Sequence, residues 1–282
     1  MSDSRQRELD ENGLAVVEGA LCPGAVRRVT AAVDRLYDEE QAAGRLAGDG
    51  SLHLLGAVAR DEAFLELLDL PTTFPLVCDV LGWNIHMYHS HVDVHPPVDG
   101  GGPEPWRWHQ DGGRQNLELE TDPRPRLSVK VAFFLSDVSE PDRGNLLVLP
   151  GSHRRNRLPG RELGLRPTGA VPVLAEPGMA VVFDRRLWHA RSDNHSALTR
   201  KVIFLGYTYR WIRPLDDMPV DTGGEWWRNR TPVQKQLLGE ATHTANHWGV
   251  NWDGYIDEKI PLRHELQSVS YTHLTLPTNR EV

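Results

Sequence analysis

A run of apolar segments cut by Gly and Pro turns constrains this chain most. LSVKVAFFLSDV (127–138), NLLVLPGSH (145–153), GMAVVFDRRLWH (178–189) and RKVIFLGYTYRWI (200–212) each have the length and β-branched or aromatic content of a strand. NIHMYHSHVDVHP (84–96) alternates apolar and polar residues, with a change of parity that marks a bulge. The segment HPPVDGGGPEP (95–105) is a loop. Ahead of these strands the pattern is mostly helical. AVRRVTAAVDRLYDEEQAAG repeats Val26, Val29, Val33 and Leu36 at helical spacing, entered at Pro23. DEAFLELLDL and FPLVCDVLG read as two helical pieces broken at Pro71 and stopped at Gly82. GLAVVEGA (13–20) is a short strand. Helices followed by many strands indicate a mainly β chain: a barrel or jelly roll with an N-terminal helical layer. Its core spans about residues 84–212, within a single domain of residues 1–267.

Other function classes are excluded by composition. A net charge of −8 and the lack of a long basic run argue against nucleic acid. Two cysteines, Cys22 and Cys78, form no zinc or disulfide framework. No apolar run reaches membrane-spanning length and the N-terminus is polar, so a cytoplasmic protein is expected. SVSYTHLTLPTNREV (268–282) is unlike what precedes it and reads as a non-native or disordered tail. From about residue 220 onward, Trp-rich helix and loop should pack on the barrel, with Trp226, Trp227, Trp248 and Trp252 as packing residues. The expected assembly is a monomer or weak homodimer.

Thirteen histidines pose the question of function. In WRWHQDGG (106–113), His109 and Asp111 stand at i and i+2, so on an extended segment both face one point. A third donor is available at His189, at the end of the strand VVFDRRLWH. Two imidazoles and a carboxylate make the facial triad of non-haem Fe(II) oxygenases, although zinc accepts the same donors. Arg200 opens the next strand. A dicarboxylate that chelates iron at one end needs its far carboxylate fixed, and a guanidinium does this with paired hydrogen bonds.

The segments WHQD (108–111), NLLVLPGSH and GMAVVFDRRLWHARSDNHSALTR (178–200) resemble the phytanoyl-CoA dioxygenase family of Fe(II)/2-oxoglutarate oxygenases. The resemblance implies a double-stranded β-helix (jelly roll, cupin-like) core. It implies iron on His109, Asp111 and His189, and 2-oxoglutarate on Arg200. It also implies O2 as co-substrate and hydroxylation of an unactivated C–H in a small molecule, with release of succinate and CO2. Asn194 and Ser196 match the family's N-x-S. Arg191 stands where relatives carry a small hydroxyl residue, so the second co-substrate contact is open. Retention of Asp111 argues against halogenation.

Further residues are candidates. Lys130 and His91 could point inward to the co-substrate. Trp106, Trp108, Arg114, Gln115 and Asn116 flank the metal pair; Trp108, Arg114 and Asn116 are candidates to meet substrate. His86, His89 and His95 read as half-buried polar positions and His153 as structural. Two other classes stay open: a metal-dependent hydrolase on the same triad, and a non-catalytic barrel that binds metal or 2-oxoglutarate.

Overall fold

The strand expected at 127–138 is observed as Ser128–Phe134, buried along its whole length because it lies in mid-sheet with both faces covered. The computed structural model describes residues 2–99, 107–112, 115–119, 121, 124–158, 166–216 and 224–240. Trp106, Arg114, Trp248, Trp252 and the segment 268–282 lie outside the described residues.

The strands are β1 (Leu14–Val17), β2 (Leu52–Leu55), β3 (Ile85–His95), β4 (Ser128–Phe134), β5 (Leu146–Val148), β6 (Val171–Pro172), β7 (Ala180–Asp184), β8 (His189–Arg191) and β9 (Arg200–Tyr209). A six-stranded sheet runs in the order β1-β7-β4-β9-β3-β2, and a three-stranded sheet in the order β6-β5-β8. Among the described residues every strand pairing is antiparallel. This is the double-stranded β-helix, with its edge strands β1 and β2 drawn from before residue 84.

Alternation along the large sheet sorts side chains into two layers. Val129, Val131 and Phe133 of β4 face outward with Val182, Ile203 and Leu205, against the helices. Ala132, Phe134, Phe183, Val202 and Phe204 face inward, toward Leu146 and Val148 of the small sheet. Each large apolar side chain so buried contributes about 1.5–3 kcal/mol.

The helical layer comprises α1 (Ser2–Asn12), α2 (Pro23–Ala42), α3 (Glu62–Leu65) and α4 (Phe74–Leu81); α5 (Gln115–Glu118) lies between β3 and β4, and α6 (Glu225–Arg228) and α7 (Pro232–Leu237) follow the last strand and add Trp227, Val233 and Leu237 to the same core. The expected entry at Pro23 is observed, and Val29, Val33 and Leu36 are buried. Gly82, at φ 77, ends α4, as a left-handed position favours glycine. Pro71 lies in the break between α3 and α4. Helix α1 and strand β2 were not legible. Helix α1 buries only Leu9 completely, too little for a periodic signal. Strand β2 is four residues long with only Leu52 fully covered.

The expected bulge in β3 falls between Met87 and His89, where the register against β9 shifts. Tyr88 is the extra residue. Its ring lies over Gly206, where an added Cβ would come 2.7 Å from it. The bulge thus turns one aromatic side chain toward the interior, and the missing side chain at Gly206 leaves the space.

Candidate metal centre

The segment around His109 and Asp111 is held to the barrel by main-chain bonds. His109 and His189 form an antiparallel bridge, with N–H···O distances of 2.9 and 3.0 Å. The Asp111 amide donates to the Arg185 carbonyl at 2.8 Å. Gln110 lies between them, its side-chain amide donating to the Arg155 and Arg186 carbonyls. The Asn116 side chain donates to the Asp111 carbonyl at 2.9 Å. Two strand ends far apart in sequence are thereby fixed face to face.

Those bonds bring the three expected ligands together. One donor atom each from His109, Asp111 and His189 lie within 4.8 Å of one another. The Nδ1 of His109 lies 2.8 Å from the Arg107 carbonyl, and the Nδ1 of His189 lies 2.8 Å from the Leu187 carbonyl. Both Nδ1 atoms must then carry the proton, which leaves each Nε2 lone pair free to meet a cation. Asp111 divides its oxygens. Its Oδ1 lies 3.9 Å from the His109 Nε2, while its Oδ2 lies 2.9 Å from the Lys130 Nζ. One oxygen faces the imidazoles and the other is held by an ammonium.

The electrostatics follow from burial. Desolvation would raise the Asp111 pKa, but Lys130 and the two imidazoles overcome it and hold the carboxylate well below its usual range. Burial pushes His189 down to about 4, so it is neutral at physiological pH. Lys130 is buried too, but Asp111 beside it raises its pKa and it stays charged. The donor set is therefore two imidazoles, each with its Nε2 turned away from the main-chain bond, and one carboxylate, which suits Fe(II) and other divalent transition metals.

Arg200 opens β9 on the inward face and is almost wholly buried. Its Nη1 lies 3.5 Å from the Asp93 Oδ2, and its Nε has no hydrogen-bond partner. Burial lowers its pKa to about 10, so it remains a cation. Most of its fork is uncommitted. The guanidinium lies 5.9 Å from the Phe204 ring; Phe204 is 6.5 Å from Phe183, which is 5.4 Å from His189. An aromatic wall thus links Arg200 to His189. Gly144 packs on the Arg200 stem, where a Cβ would come within 3.3 Å.

The remaining expected residues take several places. Lys130 faces inward, and its anionic partner is Asp111. His91 is buried, stacks on Phe204 at 4.4 Å and shares a hydrogen bond with His89. Trp108 packs with Leu147, Leu158 and Trp188. Asn116 is buried and braces the Asp111 carbonyl. Asn194 donates to the His95 and Leu198 carbonyls and accepts from Ser196 Oγ, so the N-x-S staples the loop before β9. Arg191 donates to the Ser192 carbonyl. His153 meets the Asp10 carbonyl, tying the PGSH turn to α1. His86 and His89 prove buried rather than half-buried, bonded to the Ile212 carbonyl and to Asp216.

Sequence reasoning missed three groups here: Asp93, His53 and Arg185. Asp93 shares the inward parity of His91 and His95, a signal that could have found it. His53 comes from the short strand β2, paired opposite Asp93, and carried none.

A family model for phytanoyl-CoA dioxygenase (PhyH) matches residues 9–202. The chain is 27% identical over 231 residues to an ectoine dioxygenase of Nocardia farcinica, covering 70% of this chain and 74% of that one. It is 29% identical over 201 residues to L-proline trans-4-hydroxylase of Streptomyces griseoviridis, covering 61% and 72%. Among solved structures, HygX from Streptomyces hygroscopicus with nickel, 2-oxoglutarate and hygromycin B superposes with a TM-score of 0.59 at 17% identity, covering 79% of this chain and 95% of that one. At that identity the likeness is one of fold. Among the described residues, no helix is long and apolar enough to cross a membrane.

Proposed function

The chain belongs to the phytanoyl-CoA dioxygenase family, and from that premise we propose which of its residues carry the chemistry. It is an Fe(II)- and 2-oxoglutarate-dependent dioxygenase acting as a hydroxylase. The observation that carries the site assignment is the convergence of His109, Asp111 and His189 with both Nδ1 atoms already committed to main-chain carbonyls.

The residues present fit the metal. His109 and His189 would bind it through Nε2 and Asp111 through Oδ1. When bound, Fe(II) with 2-oxoglutarate and O2 supplies the oxidising power, and succinate and CO2 leave. Lys130 holds the second Asp111 oxygen, which fixes the rotation of the carboxylate and favours a single metal contact. Arg200 offers its uncommitted fork to the far carboxylate of 2-oxoglutarate. The buried rings of Phe183 and Phe204 keep water from the space between that anchor and the metal. The substrate is a small molecule, as it is for the ectoine and proline oxygenases this chain resembles.

An anaerobic titration with Fe(II) and then 2-oxoglutarate, followed in the visible spectrum, tests the reading. A charge-transfer band is expected in the wild type, none in His189→Ala, and one needing at least tenfold more 2-oxoglutarate in Arg200→Ala. Bound metal without a band in the wild type would overturn the oxygenase assignment.

A further inference from the structure

A cavity of about 350 Å³ opens beside Asp111, and its walls carry a positive charge that no carboxylate among the described residues pairs with. It is lined by Tyr88, Asp111, Gly112, Ser128, Lys130, Arg185, Thr208 and Arg213, among others. Its size lies at the small end for ligand chambers. Among the described residues that line it Asp111 is the only acid, and that carboxylate is already held by Lys130.

Arg185 is the unusual group. It is only 4% exposed, and its Nε has no hydrogen-bond partner. Among the described residues no carboxylate forms an ion pair with it. Among the described residues its one hydrogen bond is a long 3.5 Å contact from Nη1 to the Asp111 carbonyl. The neighbouring carboxylate, Asp184, is unavailable. Arg186 binds both its oxygens, at 2.8 and 2.6 Å, and Arg126 adds a third bond at 2.9 Å. Burial outweighs the pull of Tyr88, Asp184 and Asp111 and lowers the Arg185 pKa, in contrast with Arg126, which is bonded to Asp184 and Asp10 and whose pKa is raised. A guanidinium taken out of water and left without an anion is costly, so such a group is kept where a ligand brings the anion.

Position completes the case. The Arg185 fork packs directly on Gly112, next to Asp111, where an added Cβ would overlap it. Gly112 has φ 96, so glycine is needed there twice over. An anion on Arg185 would therefore sit beside the metal ligands. It would not be the far carboxylate of the co-substrate, which Arg200 would hold. The cavity meets β9 at Thr208 whereas Arg200 begins that strand, eight residues and about 26 Å away along an extended chain.

We propose that this cavity is the substrate chamber and that it takes a small organic carboxylate. The planar fork of Arg185 grips the carboxylate, with Arg213 at the mouth, so that the rest of the molecule is presented to the metal. The purpose assigned to the chamber rests on the dioxygenase reading above; the anion site itself does not.

Calorimetric titration of the metal-loaded chain, at saturating 2-oxoglutarate and without O2, tests it with three probes: cyclohexanecarboxylate, cyclohexanecarboxamide and inorganic phosphate. The carboxylate should bind at least tenfold more tightly than the neutral amide or phosphate, and raising 2-oxoglutarate further should not displace it. Arg185→Met should erase the preference and Arg185→Lys should keep part of it. Equal affinity for carboxylate and amide, competition by 2-oxoglutarate, tighter binding of phosphate, or no binding of any probe would overturn the proposal. So would a preference that survives in Arg185→Met. If that variant does not fold, the wild-type contrast between acid and amide still decides. A wild type that keeps the preference but shows no charge-transfer band would remove the oxygenase reading alone.

Discussion

Two groups of side chains in this molecule carry the same donors: His109, Asp111 and His189, and His53, His91 and Asp93. In each, one atom per residue lies within 4.8 Å of the others. They differ in what those atoms already do. In the first, both Nδ1 atoms are committed to main-chain carbonyls and the Nε2 atoms are left facing the carboxylate. In the second, the His53 Nδ1 is bonded to Asp93 at 2.6 Å and the His91 Nδ1 to His89 at 2.8 Å. Asp93 also lies 3.5 Å from Arg200. Residue type and proximity are equal, so the distinction lies in the outer hydrogen bonds. One group is poised for a cation from outside. The other has neutralised itself and holds Arg200 in place.

The largest effect expected from that difference concerns metal content. His189→Ala or Asp111→Ala should abolish stoichiometric Fe(II) binding after dialysis, measured by elemental analysis, whereas His53→Ala should keep one metal per chain. Loss of metal in His53→Ala would erase the distinction.

Next comes Lys130→Met. The variant leaves the Asp111 carboxylate buried without its ammonium, a change of about 3–5 kcal/mol in the metal-free protein. Fe(II) should restore part of that in urea unfolding, with metal affinity down about 10–100-fold because the carboxylate rotates more freely. No destabilisation of the metal-free protein would mean that Asp111 does not depend on Lys130.

A third expectation sharpens the picture of the second group through pH. Burial lowers the His91 pKa well below its ordinary value, and burial with Arg200 lowers His95 to about 3. Unfolded imidazoles take up a proton near pH 6.5, so the unfolded state binds more protons below that pH. Stability is then full above about 6.5 and falls as the pH drops toward 3, by up to about 1.4 kcal/mol per pH unit for each such imidazole. Urea midpoints from pH 7 to 5 should show this slope, and His95→Gln should flatten it.

The smallest effect belongs to His53 itself. Its bond to Asp93 raises its pKa, but the ring is more than half exposed. Its contribution is present below its ordinary value and lost as the pH rises through the raised one. His53→Ala should cost no more than about 1 kcal/mol at pH 6 and less at pH 8, by the same unfolding measurement. A larger loss would make the His53–Asp93 bond central to the fold.

The contrast also marks what could be read in advance. Strand β3 was legible by alternation, and β4, β7 and β9 by length and β-branched or aromatic content, while the β3 bulge showed as a slip in parity. His109 and Asp111 were legible as an i, i+2 pair, and His189 and Arg200 as strand-end residues at family spacing. His53 was not, since β2 is four residues long. Arg185 was not either. In DRRL the two arginines look alike, and only the fold shows that Arg186 takes the carboxylate of Asp184 and leaves Arg185 without one.

The sequence by itself determined the class of fold, the donor types and their order along the chain, because periodicity and ligand chemistry are local. Tertiary structure alone decided which histidines keep a free nitrogen, which acid neutralises which base, and which buried arginine stays unpaired. Those outcomes depend on hydrogen bonds between strands many residues apart, and a residue's charge partner is chosen by distance in space.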